Sequence, residues 1–331
     1  MWIVGTVAAD ATYLEAIRAA LWDELEADPR LVLLGEDIGV LGGAFRVTAG
    51  LLERFGEERV IDTPIAEAAL VGAGIGMAVR GLRPVVELQF ADFISCAYDQ
   101  LVTEAAKLHY RFGIAVPMVV RCPSGGGLGA GPFHSQNPEG VFAHIPGLKV
   151  VCPGTVQDAY DLLRASVADP NPVLFFEHKA LYRSLRSDLL RRRAGAPLGR
   201  AAVRRAGSAL TLVTYGGMLP RCLEVAERVS GAGDQLEVLD LRTLVPLDME
   251  AVKASVAKTG RVVIVHEDTL SSGLGAEIAA RLSAESFFDL DAPVSRVAAP
   301  DAPAPAAAPL EEAYIPSVER IEEAVWQTLR A

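Results

Sequence analysis

The sequence predicts two doubly wound α/β domains in tandem, and three observations carry that expectation. The chain has 331 residues, more than one domain of ~100–200 residues would need. Short β-branched runs alternate with helix-length segments along most of it, the pattern of right-handed crossovers and a mostly parallel sheet. The alternation breaks once, at 184–205 (SLRSDLLRRRAGAPLGRAAVRR), which is rich in Arg and lacks apolar periodicity. That stretch reads as an interdomain linker, its arginines either solvated or open to an acidic docking partner. The expected division is therefore a first domain at 1–185, a linker at 186–204 and a second domain at 205–331.

Taken in order, Thr12 and Glu15 form a capping-box pair ahead of a helical pattern through Leu14, Ile17, Leu21 and Leu25. Strands are expected at 31–34, 60–61, 84–88, 116–120, 150–151 and 173–176, with helices at 66–79, 93–112 and 156–167. After the break come strand 210–214, helix 219–229, strand 236–239, helix 249–257, strand 262–265, helix 274–282, strand 294–297 and helix 318–329. Between the last two lies DAPAPAAAP (301–309), where repeated prolines favour an extended wall segment.

Composition excludes several classes. Hydrophobic residues make up 51% and charged residues 22%, enough for well-filled cores, and 31 basic against 42 acidic residues leave a net charge of −11. Nucleic acid and anionic membrane surfaces would repel such a chain. The longest apolar run, 68–79, has 12 residues, short of the ~20 that a membrane span needs. No basic region precedes the apolar start MWIVGTVAAD, a poor signal peptide. Four cysteines without CxxC or zinc-ligand spacing suit a reducing compartment, so a cytoplasmic location is expected, or an organellar matrix for a trimmed precursor.

Four features could carry chemistry. In DTPIAE (62–67), Thr63 can cap a helix with Pro64 at its first position, which puts Glu67 in the first turn. An acid there either serves the helix dipole, worth about 0.3–1 kcal/mol, or does chemistry. Twelve apolar residues follow it, so a buried helix and a carboxyl with raised pKa are expected. Gly72, Gly74 and Gly76 lie inside that run and fit close helix packing better than a dinucleotide fingerprint, which must follow a strand directly. ELQFADF (87–93) ends a strand, where parallel α/β sheets bind ligands; Phe93 is either a stacking face or a core aromatic. Finally, CPSGGGLGAGPFHSQNPEG (122–140) has five glycines within seven residues and leads to His134. That loop either delivers an acid–base histidine or is merely flexible. No metal-binding constellation and no GDG…N diphosphate/magnesium motif occurs.

In their order and spacing, LGEDIG (34–39), DTPIAE, GLRPVVELQFADF (81–93), the PSGGG…HSQNPEG loop, PGLKVVCP (146–153), NPVLFFEHKALYR (171–183), EVLDLRTLVPLD (237–248) and VVIVHE (262–267) form one pattern. It resembles the beta subunit of the thiamine-diphosphate-dependent decarboxylase component of 2-oxo acid dehydrogenase complexes, in the transketolase-like superfamily. The resemblance implies a pyrimidine-binding domain followed by a transketolase C-terminal-like domain. It implies that Glu67 hydrogen-bonds a ring nitrogen of the cofactor's aminopyrimidine, that Phe93 stacks on that ring with Gln89 beside it, and that His134 faces the substrate. It also implies a structural potassium ion held by groups of Met118, Ser166, Val167, Asp169 and Asn171.

Because the magnesium motif is missing, the resemblance implies half a site. An alpha subunit would anchor the thiamine diphosphate and carry Mg2+ in an α2β2 assembly, and the C-terminal domain would face a lipoyl-bearing acyltransferase core. The implied reaction is acyl-transferring decarboxylation of pyruvate or a branched-chain 2-oxo acid with reductive acylation of lipoamide. Acetoin cleavage, a non-catalytic assembly subunit and a nucleotide-binding oxidoreductase are the alternatives. Asp268-Thr269-Leu270 departs from the Ala-Pro-Arg more usual after VVHE, and 304–308 lacks the aromatic expected there.

Overall fold

The structure is a computed structural model that describes residues 7–191, 196–231, 233 and 235–331. The chain divides into two compact units, Met1–Ser124 with Phe142–Leu198 and Gly125–Val141 with Gly199–Ala331. The glycine-rich loop thus belongs to the second unit. Among the described residues no helix is long and apolar enough to cross a membrane; residues 1–6 of the apolar start lie outside them.

Unit 1 runs β1 (Val7–Thr12), α1 (Tyr13–Ala27), β2 (Leu31–Gly35), α2 (Leu51–Phe55), β3 (Val60–Asp62), α3 (Glu67–Val79), β4 (Arg83–Glu87), α4 (Ala106–Phe112), β5 (Val119–Ser124), then β6 (Lys149–Val151), α6 (Val156–Ala168), β7 (Val173–His178), α7 (Leu181–Ser184) and β8 (Arg186–Leu190), with α5 (Glu139–Ala143) lying between β5 and β6 in sequence. The expected capping box is present: the Thr12 hydroxyl accepts from the Glu15 amide at 3.1 Å, and Glu15 accepts from the Thr12 amide at 2.8 Å. The strand order β6-β7-β5-β4-β2-β3 is parallel throughout. One core joins α1 and α6 to the face of Leu33, Val85, Val119 and Phe175. On α3, Gly74 lets the backbone approach the sheet: a Cβ there would lie 2.8 Å from Val86 Cγ2 and 2.9 Å from Met118 Sδ. Close packing therefore explains Gly74, whereas Gly76 has nothing within 4 Å.

Three local expectations are corrected. Residues 93–112 are not one helix but a 3-10 turn (Ala91–Ala97), a π-helical segment (Gln100–Ala105) and α4. Within the expected linker, Arg186–Leu190 pairs antiparallel with β1; its Arg and Asp side chains masked a strand with only Leu189 buried. Residues 192–195 of that stretch lie outside the described residues.

Unit 2 comprises β9 (Ala202–Arg205), β10 (Leu210–Thr214), α8 (Leu219–Ser230), β11 (Leu236–Asp240), β12 (Thr243–Val245), α9 (Met249–Thr259), β13 (Val262–Thr269), α10 (Leu274–Glu285), β14 (Ser295–Ala299), α11 (Ala308–Tyr314) and α12 (Val318–Arg330). Its sheet has the order β14-β13-β10-β11-β9, parallel except for the edge strand β9. That edge strand is the third correction, since it too lies partly inside the expected linker. Leu212, Val238, Val263 and Val265 pack against α8 and α12 in its core. The segment 301–307 is irregular, as its prolines require, and Pro309 enters α11 at the first turn.

Candidate active site

In unit 1, β2 is flanked by β3 on one side and β4 on the other, so the direction of winding reverses between β2 and β4. The carboxyl ends of strands at such a switch point form a crevice suited to ligands. Three loops leave it there, after Gly35, Asp62 and Glu87, and hydrogen bonds lace them together. The Thr63 amide donates to the Gly35 carbonyl at 3.0 Å, the Gly39 amide to Asp62 Oδ1 at 2.6 Å, and Gln89 Nε2 to Asp37 Oδ2 at 3.4 Å.

Glu67 is the first residue of α3, beside these loops. The sequence expectation that Thr63 caps this helix with Pro64 at its first position is not met: Ala66 is the N-cap, with no side-chain capping bond. The Thr63 hydroxyl is instead buried without a hydrogen-bond partner. Nor is the helix buried all round. Glu67 is half-buried, and Ala68, Ala69, Ala73, Gly76 and Val79 are exposed while Leu70, Val71 and Ile75 face the core. The composition cannot distinguish the two faces because both are apolar. Burial pushes the Glu36 carboxyl up, helped by the negative charges of Asp37 and Glu67. Three acids and an amide therefore share this corner.

Phe93 sits in the 3-10 turn after β4, half-buried. Phe90 meets it edge-on at 5.8 Å and meets Phe45 edge-on at 5.4 Å. Lys179 Nζ lies 5.7 Å from the Phe90 ring centre. Phe93 is thus part of an aromatic cluster and half-buried, not enclosed in a core. Beneath it, three adjacent strands contribute Glu87, Arg121 and Glu177, all buried. Arg121 donates Nε to Glu177 Oε1 at 2.5 Å and Nη2 to Oε2 at 2.8 Å; Nη1 reaches Glu87, and the Tyr182 hydroxyl donates to Glu177 at 2.8 Å. Burial pushes Glu87 up against the pull of Arg121, while the two carboxylates hold the guanidinium charged despite burial. Sequence reading picked out Glu87 only as a strand end and missed Arg121 and Glu177, which look like ordinary surface charges in linear sequence.

The five residues of the implied potassium site lie at the opposite, amino edge of the same sheet. The Met118 carbonyl accepts from the Val173 amide at 2.9 Å, the Ser166 carbonyl from the Asp169 amide at 3.2 Å, and the Val167 carbonyl from Arg83 Nη1 at 2.6 Å. Asp169 caps the Asn171 amide at 2.9 Å and pairs with Lys149.

His134 belongs to unit 2, half-buried in the loop 125–141. That loop is clasped by two buried carboxylates. Glu267 accepts from the Gly126 amide at 2.7 Å and Asn137 Nδ2 at 3.0 Å; Glu311 accepts from the Gly127 and Gly129 amides at 3.0 and 2.8 Å. A side chain at Gly126 would meet Ile315 at 2.9 Å, so this glycine is needed for the approach. Glu311 was missed in the sequence; its only signal is an acid facing a run of glycine amides, which no linear pattern reveals.

Residues 9–184 match the family described as transketolase, pyrimidine binding domain, and residues 199–321 match transketolase, C-terminal domain. The 2-oxoisovalerate dehydrogenase subunit beta of Bacillus subtilis is 47% identical over 317 residues, 95% of this chain and 97% of that one. The 3-methyl-2-oxobutanoate dehydrogenase subunit beta of Mycobacterium tuberculosis is 43% identical over 99% of this chain and 94% of that one. The pyruvate dehydrogenase E1 component subunit beta of Leifsonia xyli is 43% identical over 96% of this chain and 94% of that one. A solved split-gene transketolase, an inactive beta4 tetramer, has the same fold, with a TM-score of 0.78 at 22% identity over 96% of this chain and 98% of that one. Two transketolase-type domains, an acid opening a helix beside the switch point and this similarity across nearly the whole chain make it a member of the family of 2-oxo acid dehydrogenase beta subunits.

Proposed function

We propose that the chain supplies the pyrimidine-binding half of a decarboxylase site for a branched-chain 2-oxo acid, in an α2β2 assembly that acylates lipoamide. The family is thiamine-diphosphate-dependent, and the residues at the switch point fit the pyrimidine end of that cofactor. The carrying observation is the acid Glu67 at the first turn of α3, in electrostatic reach of Glu36, with an orphaned buried hydroxyl at Thr63. When bound, thiamine diphosphate would supply a thiazolium carbon that is nucleophilic once deprotonated and a ring that serves as an electron sink. Glu67 holds a proton against a ring nitrogen, a general acid–base role. Phe93 offers its ring for stacking, and Gln89 an amide already oriented by Asp37. His134 orients the substrate carboxylate or passes a proton during acyl transfer.

The alpha subunit carries the diphosphate and Mg2+ in this reading, supported by the missing magnesium motif, and the C-terminal domain docks the lipoyl-bearing core in the cytoplasm. The carbonyls of Met118, Ser166 and Val167 each keep a second lone pair for a potassium ion; the Asp169 carboxylate is already engaged by Lys149. The closer identity to a 2-oxoisovalerate enzyme favours branched-chain substrates, and 43% identity to a pyruvate enzyme keeps pyruvate as the second reading. Reconstitution with the alpha subunit, assayed on 2-oxoisovalerate, pyruvate and acetoin, tests both. Fastest turnover of 2-oxoisovalerate is expected, and turnover of none would end the proposal.

A further inference from the structure

In unit 2 the loop 125–141 is seated on four carboxyl groups: Glu139 on the loop side, and Glu267, Asp268 and Glu311 beneath it. Glu267 and Glu311 each receive two amide donors from the loop, as described above, with the Ser135 hydroxyl adding to Glu311 at 3.5 Å. Asp268 takes the Thr269 amide at 2.7 Å on one oxygen. Its other oxygen packs so closely on the loop that a Cβ at Gly140 would lie 2.4 Å away. Glu139 is the poorly served member. It is buried, its Oε1 accepts the Tyr215 hydroxyl at 3.1 Å, its own backbone amide also favours the charged carboxyl, and its Oε2 has no hydrogen-bond partner among the described residues. The Tyr215 ring stacks at 6.2 Å on His266, which is wholly buried with neither ring nitrogen hydrogen-bonded.

A buried carboxylate needs donors or a cation, and Glu139 has only neutral donors, with one oxygen left bare among the described residues. The groups acting on it are Tyr215 after β10, Glu267 and Asp268 on β13, and Tyr314 on α11; His266 lies behind Tyr215, and Arg296 of β14 acts on His266. His266 offers no charge, because burial drives its pKa down to about 4. The cluster is therefore short of positive charge, and a proton is the remaining remedy.

We propose that Glu139 and Asp268 form a proton-operated latch: one proton retained by the pair keeps the glycine-rich loop seated, and losing it frees the loop. The step is a simple ionisation, the proton leaving to solvent and the second negative charge appearing beside the first. Burial, with the charge of Asp268 next, pushes Glu139 up to about 8, and burial pushes Asp268 up to about 6, so release falls on the alkaline side of neutrality. Because His134 rides on this loop, the latch also sets when that side chain is held in place. That consequence rests on the role proposed for His134; the latch itself does not.

The test is amide hydrogen exchange on the full chain from about pH 6 to 9.5, corrected for intrinsic rates, read at Gly126, Gly127 and Gly129 against β10 and β13. Loop protection is expected to fall by up to roughly tenfold per pH unit from the ordinary carboxyl range to about pH 8 and to level off above it, with the strands unchanged. Glu139→Gln keeps the loop protected across the range. Tyr215→Phe removes the donor that favours the charged form, so it moves the midpoint to higher pH, a shift that lost packing alone would not give. This second variant serves if the first does not fold. Protection independent of pH in the native chain, an unaltered fall in Glu139→Gln, or an unmoved or lowered midpoint in Tyr215→Phe would each overturn the latch.

Discussion

Arg121 grips Glu177 through two parallel hydrogen bonds, 2.5 and 2.8 Å long, wholly inside the unit 1 sheet. Its remaining nitrogen reaches Glu87 on the opposite neighbouring strand. The arginine therefore spans from β4 to β7 just below the loops that carry Gln89 and Phe93. Two-pronged geometry makes it strong and directional.

Removing that arginine would leave two carboxylates buried without their cation. Arg121→Met is expected to destabilise unit 1 by about 3–5 kcal/mol, measured by urea unfolding of the full chain. A loss under 1 kcal/mol would mean that the carboxylates take up protons or water at little cost.

Glu67→Gln keeps the size and hydrogen-bonding reach of the side chain but not its acid–base chemistry. In the reconstituted enzyme, turnover is expected to fall by about 10²–10⁴-fold with circular dichroism and thermal midpoint unchanged. Undiminished turnover would instead favour a purely scaffolding role for this chain.

The glycines of α3 separate by position. Gly74→Ala puts a methyl 2.8 Å from Val86 Cγ2, and overpacking of that kind costs about 1–3 kcal/mol. Gly76→Ala meets nothing within 4 Å and gains helix propensity of up to about 1 kcal/mol. Paired thermal melts of the two variants should move in opposite directions.

Stability should depend on pH through Glu139. Its folded pKa, about 8, is raised, so at pH values above the ordinary carboxyl range the unfolded chain has released a proton that the folded chain keeps. Stability from this group is complete below the unfolded value and is lost as pH rises to about 8. The native chain should therefore lose up to a few kcal/mol relative to Glu139→Gln across that interval, read as the difference between their urea midpoints at each pH. Parallel curves for the two proteins would show that Glu139 ionises as freely when folded as unfolded.

The alternation of strand and helix, the capping box at Thr12 and the position of Glu67 at a helix start were legible in linear sequence, because local propensity and periodicity act over a few residues. The two strands inside 184–205 were not, since β8 and β9 are edge strands with mostly half-exposed or exposed polar side chains and therefore carry little apolar pattern. Nor was the two-faced character of α3, whose buried and exposed sides are built from the same small apolar residues.

By itself the sequence determined the two-domain α/β class, the family and the residues Glu67, Gln89, Phe93 and His134 as those to examine. Only the tertiary structure decided which charges share a site. Arg121 with Glu87 and Glu177, and Glu139 with Asp268, are separated by 34 to 129 positions along the chain, and their energies depend on burial and on donors brought in by other strands. Such terms arise when separate segments exclude water together, and nothing in a local window encodes them.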